Sequence, residues 1–357
     1  MTTTAASSPK KLLYEVSIIR PTIIFLLVVL HAFAHTTRWV HPGGVIYSND
    51  YQPIVVYQWF CRLISGFRIE TIALIAGYVF AYQSLDLKRS YKFGPFVVKK
   101  FKRLIIPMLF FGAIYYFCFY VPLTGFSTRD FLSQLFSGCG HLWFLPMLFW
   151  CFLAIWFIDR FRLSSWLMLL LLAGLSIIPV PTLPLGLTKL PHFVFYVYAG
   201  YFLWTKRNYL FAHCLKNGFI LFFWALYVIL VIVNHALLPK TSPEMALWQK
   251  GLIYGISGIT ELVMSCSGIM ALYLLVCKTT TKDGYTPKPW VVNASDSCYG
   301  VYVYHQFILM YLYYYTPFVD MFPHYLVPWI GLLLTLGLSL LLTKVTLKTK
   351  FGRFLIG

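Results

Sequence analysis

The chain has 357 residues, of which 59% are hydrophobic, 19% aromatic and only 11% charged. This composition excludes an ordinary soluble domain and predicts an all-α, polytopic membrane protein. The formal net charge of +18 does not indicate a nucleic-acid partner, because the basic residues lie in short runs between apolar segments. The eight cysteines lie mostly within apolar segments without metal-ligand spacing, so we expect core residues and no metal site.

The first apolar stretch, residues 18–37, carries Arg20, His31 and His35 and is long enough to cross a bilayer as a helix. At about 100° and about 1.5 Å per residue, the step from Arg20 to His31 ends about 20° past three full turns and rises ~16 Å. His35 lies roughly 60° from Arg20 on the same projection. All three side chains are therefore predicted to face one interior cavity.

The chemistry of this stretch allows two interpretations. Imidazole titrates near neutral pH, so His31 suits a general base that deprotonates a hydroxyl group. The alternative is a packing histidine that bonds a neighbouring carbonyl. Arg20 lies near the predicted cytoplasmic interface, where it is either a polar tether for a ligand or an anchor whose head reaches the interface.

Nine further candidate spans follow, and no loop between them is long enough to fold alone. The ten spans lie near residues 18–37, 64–84, 104–122, 141–158, 165–182, 190–205, 217–236, 251–277, 294–316 and 326–346. An even number places both termini on one side, and that side holds about 21 of the 29 lysines and arginines. The bias predicts cytoplasmic termini. We therefore expect one transmembrane helical bundle over residues 1–357, with a cytoplasmic tail at 1–15.

The densest basic run extends from Lys88 to Arg103, in a predicted cytoplasmic loop. Its residues satisfy the positive-inside rule without any further role. Lys100 and Arg103, however, are three residues apart and would share a helical face beside a proline-stiffened helix start. Together with Lys99, this pair is predicted to bind a phosphate cluster.

Two carboxylates lie within predicted spans. Glu70 is close to Arg68 at the outer start of the second span, where an Arg–Glu pair serves structure as readily as catalysis. Glu261 lies about ten residues into the eighth span, where a partner or protonation is expected because an unpaired carboxylate is costly. Its small neighbours also permit a structural interhelical hydrogen bond. Both residues are candidate catalytic groups.

Four more candidates stand at the fourth and ninth spans. His141 and Trp143 lie where an outer aromatic belt is expected. Tyr302 falls on one stripe of the ninth span with Ser295, Tyr299 and Gln306, and His305 lies about 80° from Ser295 on the same projection. These side chains either line a cavity or pack between helices.

Several motifs occur in a fixed order along the chain. They are the arginine, ten residues, histidine spacing of Arg20 and His31, LIAGYVFA in the second span, KKFKRLIIP from Lys99, HLWFLPMLF from His141, SDSCYGVYVYHQF from Ser295 and the tail GRFLIG. In this order they resemble the acyltransferase family 3 membrane proteins. Three places depart from that family's pattern: Lys100 replaces the more usual arginine, Glu70 with Thr71 occupies a stretch that is commonly apolar or contains proline, and Ala76 stands where serine is usual.

The resemblance implies an O-acyltransferase that moves an acyl group from cytoplasmic acyl-CoA, usually acetyl-CoA, to a hydroxyl of a glycan or lipid-linked sugar. It also implies a multi-pass protein of the bacterial cytoplasmic (inner) membrane, surrounded by membrane lipid. The acyl group, the sugar, the oligomeric state, and the choice between direct transfer and an acyl-histidine relay stay open. The predicted roles are catalytic for His31, Arg20, Glu261 and Glu70, donor binding for Lys100, Arg103 and Lys99, and acceptor binding for His35, His141, Trp143, Tyr302 and His305.

Two other classes of protein fit the same composition. A transporter or flippase of a lipid-linked sugar would line a conduction path with the buried charges, and it predicts flux without acyl-CoA turnover. A sensor or scaffold predicts neither flux nor turnover.

Overall fold

The structure is a computed structural model that describes residues 13–34, 54–89 and 92–357, and all the regular structure in these ranges is helical. The predicted all-α class is thereby confirmed. The α-helices are α1 Tyr14–Phe33, α2 Val55–Ser65, α3 Arg68–Ala81, α4 Phe93–Lys100, α5 Ile106–Tyr115, α6 Val121–Thr124, α7 Thr128–Ser137, α8 Phe144–Arg160, α9 Trp166–Ile177, α10 Leu190–His213, α11 Asn217–Ile232, α12 Leu247–Thr280, α13 Pro289–Tyr315, α14 Val327–Lys348 and α15 Lys350–Ile356.

Shorter turns of other helix types join or extend these helices. The π-helical turns are Tyr82–Asp86, Phe101–Ile105, Tyr116–Tyr120 and Val233–Leu237, and the 3₁₀ turns are Gly140–Trp143, Leu187–Lys189 and Pro317–Val319. A π turn adds a residue to the helical repeat, so it changes which face the following side chains occupy.

Among the residues with described structure, seven continuous helical segments are long and apolar enough to cross a membrane. They are Tyr14–Phe33, Val55–Asp86, Phe93–Thr124, Gly140–Arg160, Asn217–Leu237, Leu247–Thr280 and Val327–Lys348. The predicted spans at 165–182, 190–205 and 294–316 coincide with α9, α10 and α13, which are not among the seven. The count of ten spans and the side of the termini stay predictions.

These three helices differ from the seven for identifiable reasons. Helix α9 has only 12 residues. Helices α10 and α13 are long enough but carry many tyrosines and other polar residues. Both are extensively buried among other helices, where side-chain hydroxyls find partners that lipid does not offer.

Helix α1 lies inside the bundle and packs against α3, α12, α13 and α14. Val28, Ala32 and Phe33 of α1 have no exposed surface. Tyr78 of α3 donates a hydrogen bond to Glu15 at the start of α1, 2.8 Å away. We call the end of the bundle at which α1 begins the inner end and the opposite end the outer end.

Helices α3 and α10 pack with their backbones in direct contact. A Cβ atom at Gly77 would collide with the carbonyl group of Val197, and one at Gly200 would collide with the carbonyl group of Leu74. Small residues permit this approach between helices in a membrane. The two glycines therefore set the distance between α3 and α10.

Polar groups fasten the same two helices at the inner end. Asp86, in the π turn after α3, accepts hydrogen bonds from Trp204 Nε1 at 3.0 Å and from Arg207 Nη2 at 2.9 Å. The Arg207 guanidinium also lies 3.5 Å from the centre of the Trp204 ring system. This ion pair, added to the glycine contacts, holds α3 and α10 as one unit.

Candidate active site

Three imidazoles from distant parts of the chain meet in the interior. His31 comes from α1, His305 from α13 and His141 from the 3₁₀ turn before α8. His305 is fully buried, and its ring centroid lies 5.0 Å from that of His31 and 5.0 Å from that of His141. The structure thus brings together three residues that the sequence analysis selected separately.

Hydrogen bonding fixes the tautomers of two of these rings. His305 Nδ1 lies 3.1 Å from the Val301 carbonyl oxygen and 2.7 Å from that of Tyr302. Both oxygens can only accept, so Nδ1 carries the hydrogen and a neutral His305 has its acceptor at Nε2. That Nε2 is 3.0 Å from His31 Nδ1, which must therefore donate.

The tautomer of His31 has a chemical consequence. With the hydrogen of the neutral ring on Nδ1, the lone pair lies on Nε2. A proton taken up at Nε2 leaves the Nδ1–H···His305 hydrogen bond intact, and that bond strengthens when the donor ring becomes charged. His31 is therefore held in the form that a general base requires.

His141 and Tyr302 link the turn before α8 to α13. His141 Nε2 donates to the Val303 carbonyl at 3.0 Å, and the Tyr302 hydroxyl donates to the His141 carbonyl at 2.6 Å. Within the described ranges, His141 Nδ1 is buried without a hydrogen-bond partner. Tyr302 thus positions the backbone beside the imidazoles, while His141 presents one unused acceptor nitrogen.

Arg68 is the charged residue that sequence reasoning treated only as a partner for Glu70. Its side chain is 6% exposed, and Nε and Nη1 have no hydrogen-bond partner among the described residues. Its charge acts on both His31 and His305. Burying a guanidinium whose N–H donors make no hydrogen bond costs free energy. An anion that forms next to these imidazoles could accept hydrogen bonds from those donors.

In the described ranges Arg68 and Glu70 form no ion pair within 4 Å, although the charge of Glu70 acts on Arg68. Residues two apart on a helix point to different sides, and Glu70 Oε1 instead lies 3.8 Å from His192 Nε2 of α10. The other carboxylate oxygen of Glu70 is buried without a hydrogen-bond partner in the described part of the chain. The two-residue spacing was the signal in the sequence that could have separated Arg68 from Glu70.

Trp143 lies at the outer end beside the Glu70–His192 pair. Lys189 Nζ is 3.4 Å from the centre of the Trp143 ring system. Burial lowers the pKa of Lys189, and the nearby Glu70 carboxylate partly offsets that shift. The face of Trp143 is occupied by this ammonium group, so a sugar could stack there only after Lys189 moved.

Arg20 occupies the inner end, far from the imidazoles. The ~16 Å rise along α1 places its guanidinium about three helical turns from the His31 ring, too far to contact a group bound beside that ring. Its side chain is exposed and experiences the charges of Arg103 and Asp296. Two neighbouring arginines at an exposed site suit a ligand with several phosphates.

Lys100 and Arg103 differ in their surroundings, although the charge of Arg103 acts on Lys100. Lys100 Nζ lies 3.2 Å from the centre of the Phe152 ring and 5.5 Å from that of Phe96, so its charge packs against aromatic side chains. Arg103 is exposed, as is Lys99. The π turn Phe101–Ile105 begins directly after Lys100 and contains Arg103, so it changes the helical phase that the three-residue spacing assumed.

Glu261 lies apart from the imidazoles, in the wall of a cavity between α9, α11 and α12 that His192 also lines. The expected partner is absent among the described residues, from which the Glu261 carboxylate accepts no hydrogen bond, and its side chain is exposed. The cavity removes the cost of burying this carboxylate. His35, the predicted acceptor contact one turn beyond His31, lies outside the described residues.

Comparison with known proteins identifies one family. The model of the acyltransferase family 3, described as an acyltransferase domain, matches residues 13–346, nearly the whole chain. No curated protein and no solved structure matches significantly. In the described ranges, no group of three His, Cys, Asp or Glu side chains is placed to hold a metal ion.

Proposed function

Because this chain belongs to the acyltransferase family 3, a family of membrane acyltransferases, we propose that it transfers an acyl group, most simply acetyl, from acyl-CoA to a hydroxyl of a glycan or lipid-linked sugar. One observation supports this proposal above the others. His31 and His305 form a 3.0 Å hydrogen-bonded pair with the unsatisfied donors of Arg68 nearby. That set contains a base, a group that orients it and a cation for the developing charge.

The donor is proposed to bind at the inner end. Arg20 and Arg103 are exposed there and close enough to repel each other electrostatically, so the phosphates of CoA would relieve that repulsion. The pantetheine arm then extends along α1, over the ~16 Å rise that separates Arg20 from His31. The excess of Lys and Arg predicts that this end faces the cytoplasm, where acyl-CoA is available.

The proposed transfer is direct. His31 Nε2 removes the proton from the acceptor hydroxyl as its oxygen attacks the thioester carbonyl carbon. Arg68 stabilises the negative charge on the carbonyl oxygen of the tetrahedral intermediate. When the C–S bond breaks, the CoA thiolate takes the proton from His31, which restores the neutral ring.

The two neighbouring histidines have supporting roles. His305 accepts the Nδ1–H of His31 throughout and stabilises the transient imidazolium. His141 fixes the backbone of α13 beside this pair through its bond to Val303. A relay in which His31 Nε2 is itself acylated would use the same geometry, and a trapped acyl-enzyme would reveal it.

The test uses purified full-length protein in lipid nanodiscs. Acetyl-CoA with a labelled acetyl group is added together with cell-envelope glycans or lipid-linked sugars. We expect free CoA and labelled glycan in equal amounts. Sugar movement across the bilayer without CoA release would identify a transporter and overturn the proposal, and the absence of both would favour a sensor or scaffold.

His31→Ala provides the first variant for that assay. Loss of the general base should reduce turnover on the order of 100-fold or more, while the folded protein survives because alanine is well tolerated in an apolar helix. His213→Ala is the matched control, since His213 is exposed at the end of α10 and should keep parental turnover. Parental transfer by His31→Ala would exclude the base assigned here.

A further inference from the structure

A second site lies at the outer end, away from the imidazoles. It is a cavity of about 470 Å³ between the end of α9, the end of α11 and the middle of α12. Small-molecule sites have volumes of about 300–1,000 Å³. Its polar lining includes His192, Asn234, His235, Lys240, Ser257 and Glu261.

Two of these polar groups have no hydrogen-bond partner in the described part of the chain. The side chains of Asn234 and Glu261 make no hydrogen bond with the residues whose structure is described. Asn234 and His235 belong to the π turn Val233–Leu237, and such turns are rare and occur frequently at functional sites. The wall therefore offers hydrogen-bonding groups that a ligand could use.

The lining favours a neutral, hydroxyl-rich ligand. Lys240 is balanced by Glu261, so the fixed charges of the lining cancel, and a phosphate would be repelled by the carboxylate. An acyl chain would leave the amide, imidazole and carboxylate groups unpaired. A sugar hydroxyl both donates and accepts, and the Tyr254 ring in the same lining adds an apolar surface for a sugar face.

The cavity is joined to the reaction centre through one turn of α3. His192 lines the cavity, and its Nε2 lies 3.8 Å from Glu70 Oε1. Glu70 is two residues from Arg68, whose charge acts on His31. The cavity and the imidazole pair thus lie on two sides of the first turn of α3.

We propose that this cavity binds a neutral oligosaccharide portion of the acceptor, next to the sugar that receives the acyl group. The proposal rests on the proposed function, because it assigns the cavity to the same acceptor. Glu261 is then a specificity-determining residue and not a catalytic one. Its carboxylate accepts hydrogen bonds from sugar hydroxyls, and Asn234 provides both a donor and an acceptor.

The test compares two cavity variants, Glu261→Gln and Asn234→Ala, with the control Glu244→Gln. Glu244 is an exposed carboxylate of the same loop region that does not line the cavity. Full-length protein in nanodiscs is applied to an array of neutral and acidic oligosaccharides, and its affinity for phosphatidylglycerol is measured separately. Donor binding is measured with acetyl-CoA in every variant.

We expect each cavity variant to weaken binding of neutral oligosaccharides at least tenfold, and to raise the acceptor KM by the same factor at unchanged kcat. The control and the affinity for acetyl-CoA should stay parental. If wild-type protein transfers acetyl but both cavity variants keep the parental KM, the cavity assignment alone is overturned. An effect confined to acidic oligosaccharides or phosphatidylglycerol would equally overturn the neutral class.

The two proposals fail in different ways. Neutral oligosaccharide binding that depends on Glu261 but occurs without acetyl transfer would preserve the cavity and remove the proposed function. His235→Gln gives a third variant if Asn234→Ala disturbs the π turn, and thermal unfolding identifies such damage. Parental oligosaccharide affinity in all folded cavity variants would overturn the site.

Discussion

His305 allows the proposed mechanism to be tested through a residue that never touches the substrate. In His305→Leu, the side chain keeps similar volume but loses the nitrogen that accepts from His31 Nδ1 at 3.0 Å. His31 can then adopt its other tautomer, and its imidazolium form loses a hydrogen bond. The carbonyls that His305 bonds belong to Val301 and Tyr302, inside α13, where the helix ladder satisfies them.

The size of the effect follows from the bond that is lost. A hydrogen bond to a charged group contributes about 1.5–3 kcal/mol. Since about 1.36 kcal/mol corresponds to a factor of ten in rate, kcat should fall roughly 10- to 150-fold. The KM for the acyl donor should hardly change, because Arg20 and Arg103 bind the donor at the other end of α1.

The assay measures kcat and both KM values for His305→Leu and His305→Gln. The glutamine side chain offers a carbonyl oxygen that can accept from His31, so it should recover a large part of the lost rate. Thermal unfolding of each variant reports packing separately. Equal losses in the leucine and glutamine variants, or parental kcat in His305→Leu, would refute the positioning role.

Three further predictions concern charges and packing. Arg68→Met should lower kcat by about 100-fold or more, since loss of one oxyanion donor costs about 10²–10³; parental kcat would remove Arg68 from the mechanism. Arg103→Ala should raise the KM for acetyl-CoA several-fold. Lys100→Met, which replaces a cation packed on Phe152, should leave that KM near the parental value. A larger effect of Lys100→Met than of Arg103→Ala would contradict this assignment and favour Lys100 as a phosphate-binding residue. Gly200→Leu should abolish the folded protein, as monitored by size-exclusion chromatography in detergent, while Gly174→Leu, at a position with open space around it, should fold normally.

The sequence predicted the positions of the helices better than it predicted which helices contact one another. Helical periodicity along α1 correctly indicated that His31 faces the interior. Periodicity acts within one helix, however, and the partner of His31 is His305, 274 residues later in the chain. Only the resemblance to a family hinted that the two belong to one site.

Two features of the site have local causes that the sequence pattern does not include. The Lys100–Arg103 spacing assumed a regular α-helix, and the π turn Phe101–Ile105 breaks that regularity; whether the pair binds phosphate stays a prediction. Glu261 was expected to have a partner or a proton because its segment is apolar, yet the cavity beside α12 exposes it. A sequence pattern within one segment cannot predict a cavity that three helices, α9, α11 and α12, form together.

The glycine contacts between α3 and α10 limit how this protein can move. The proposed donor and acceptor sites lie at opposite ends of the bundle, so the proposed reaction requires access from both ends. Backbones that touch at Gly77 and Gly200 cannot slide past each other without collision, and the Asp86–Arg207 ion pair resists a twist. We therefore expect helices α3 and α10 to move as one rigid body, with the hinges in the segments that surround them.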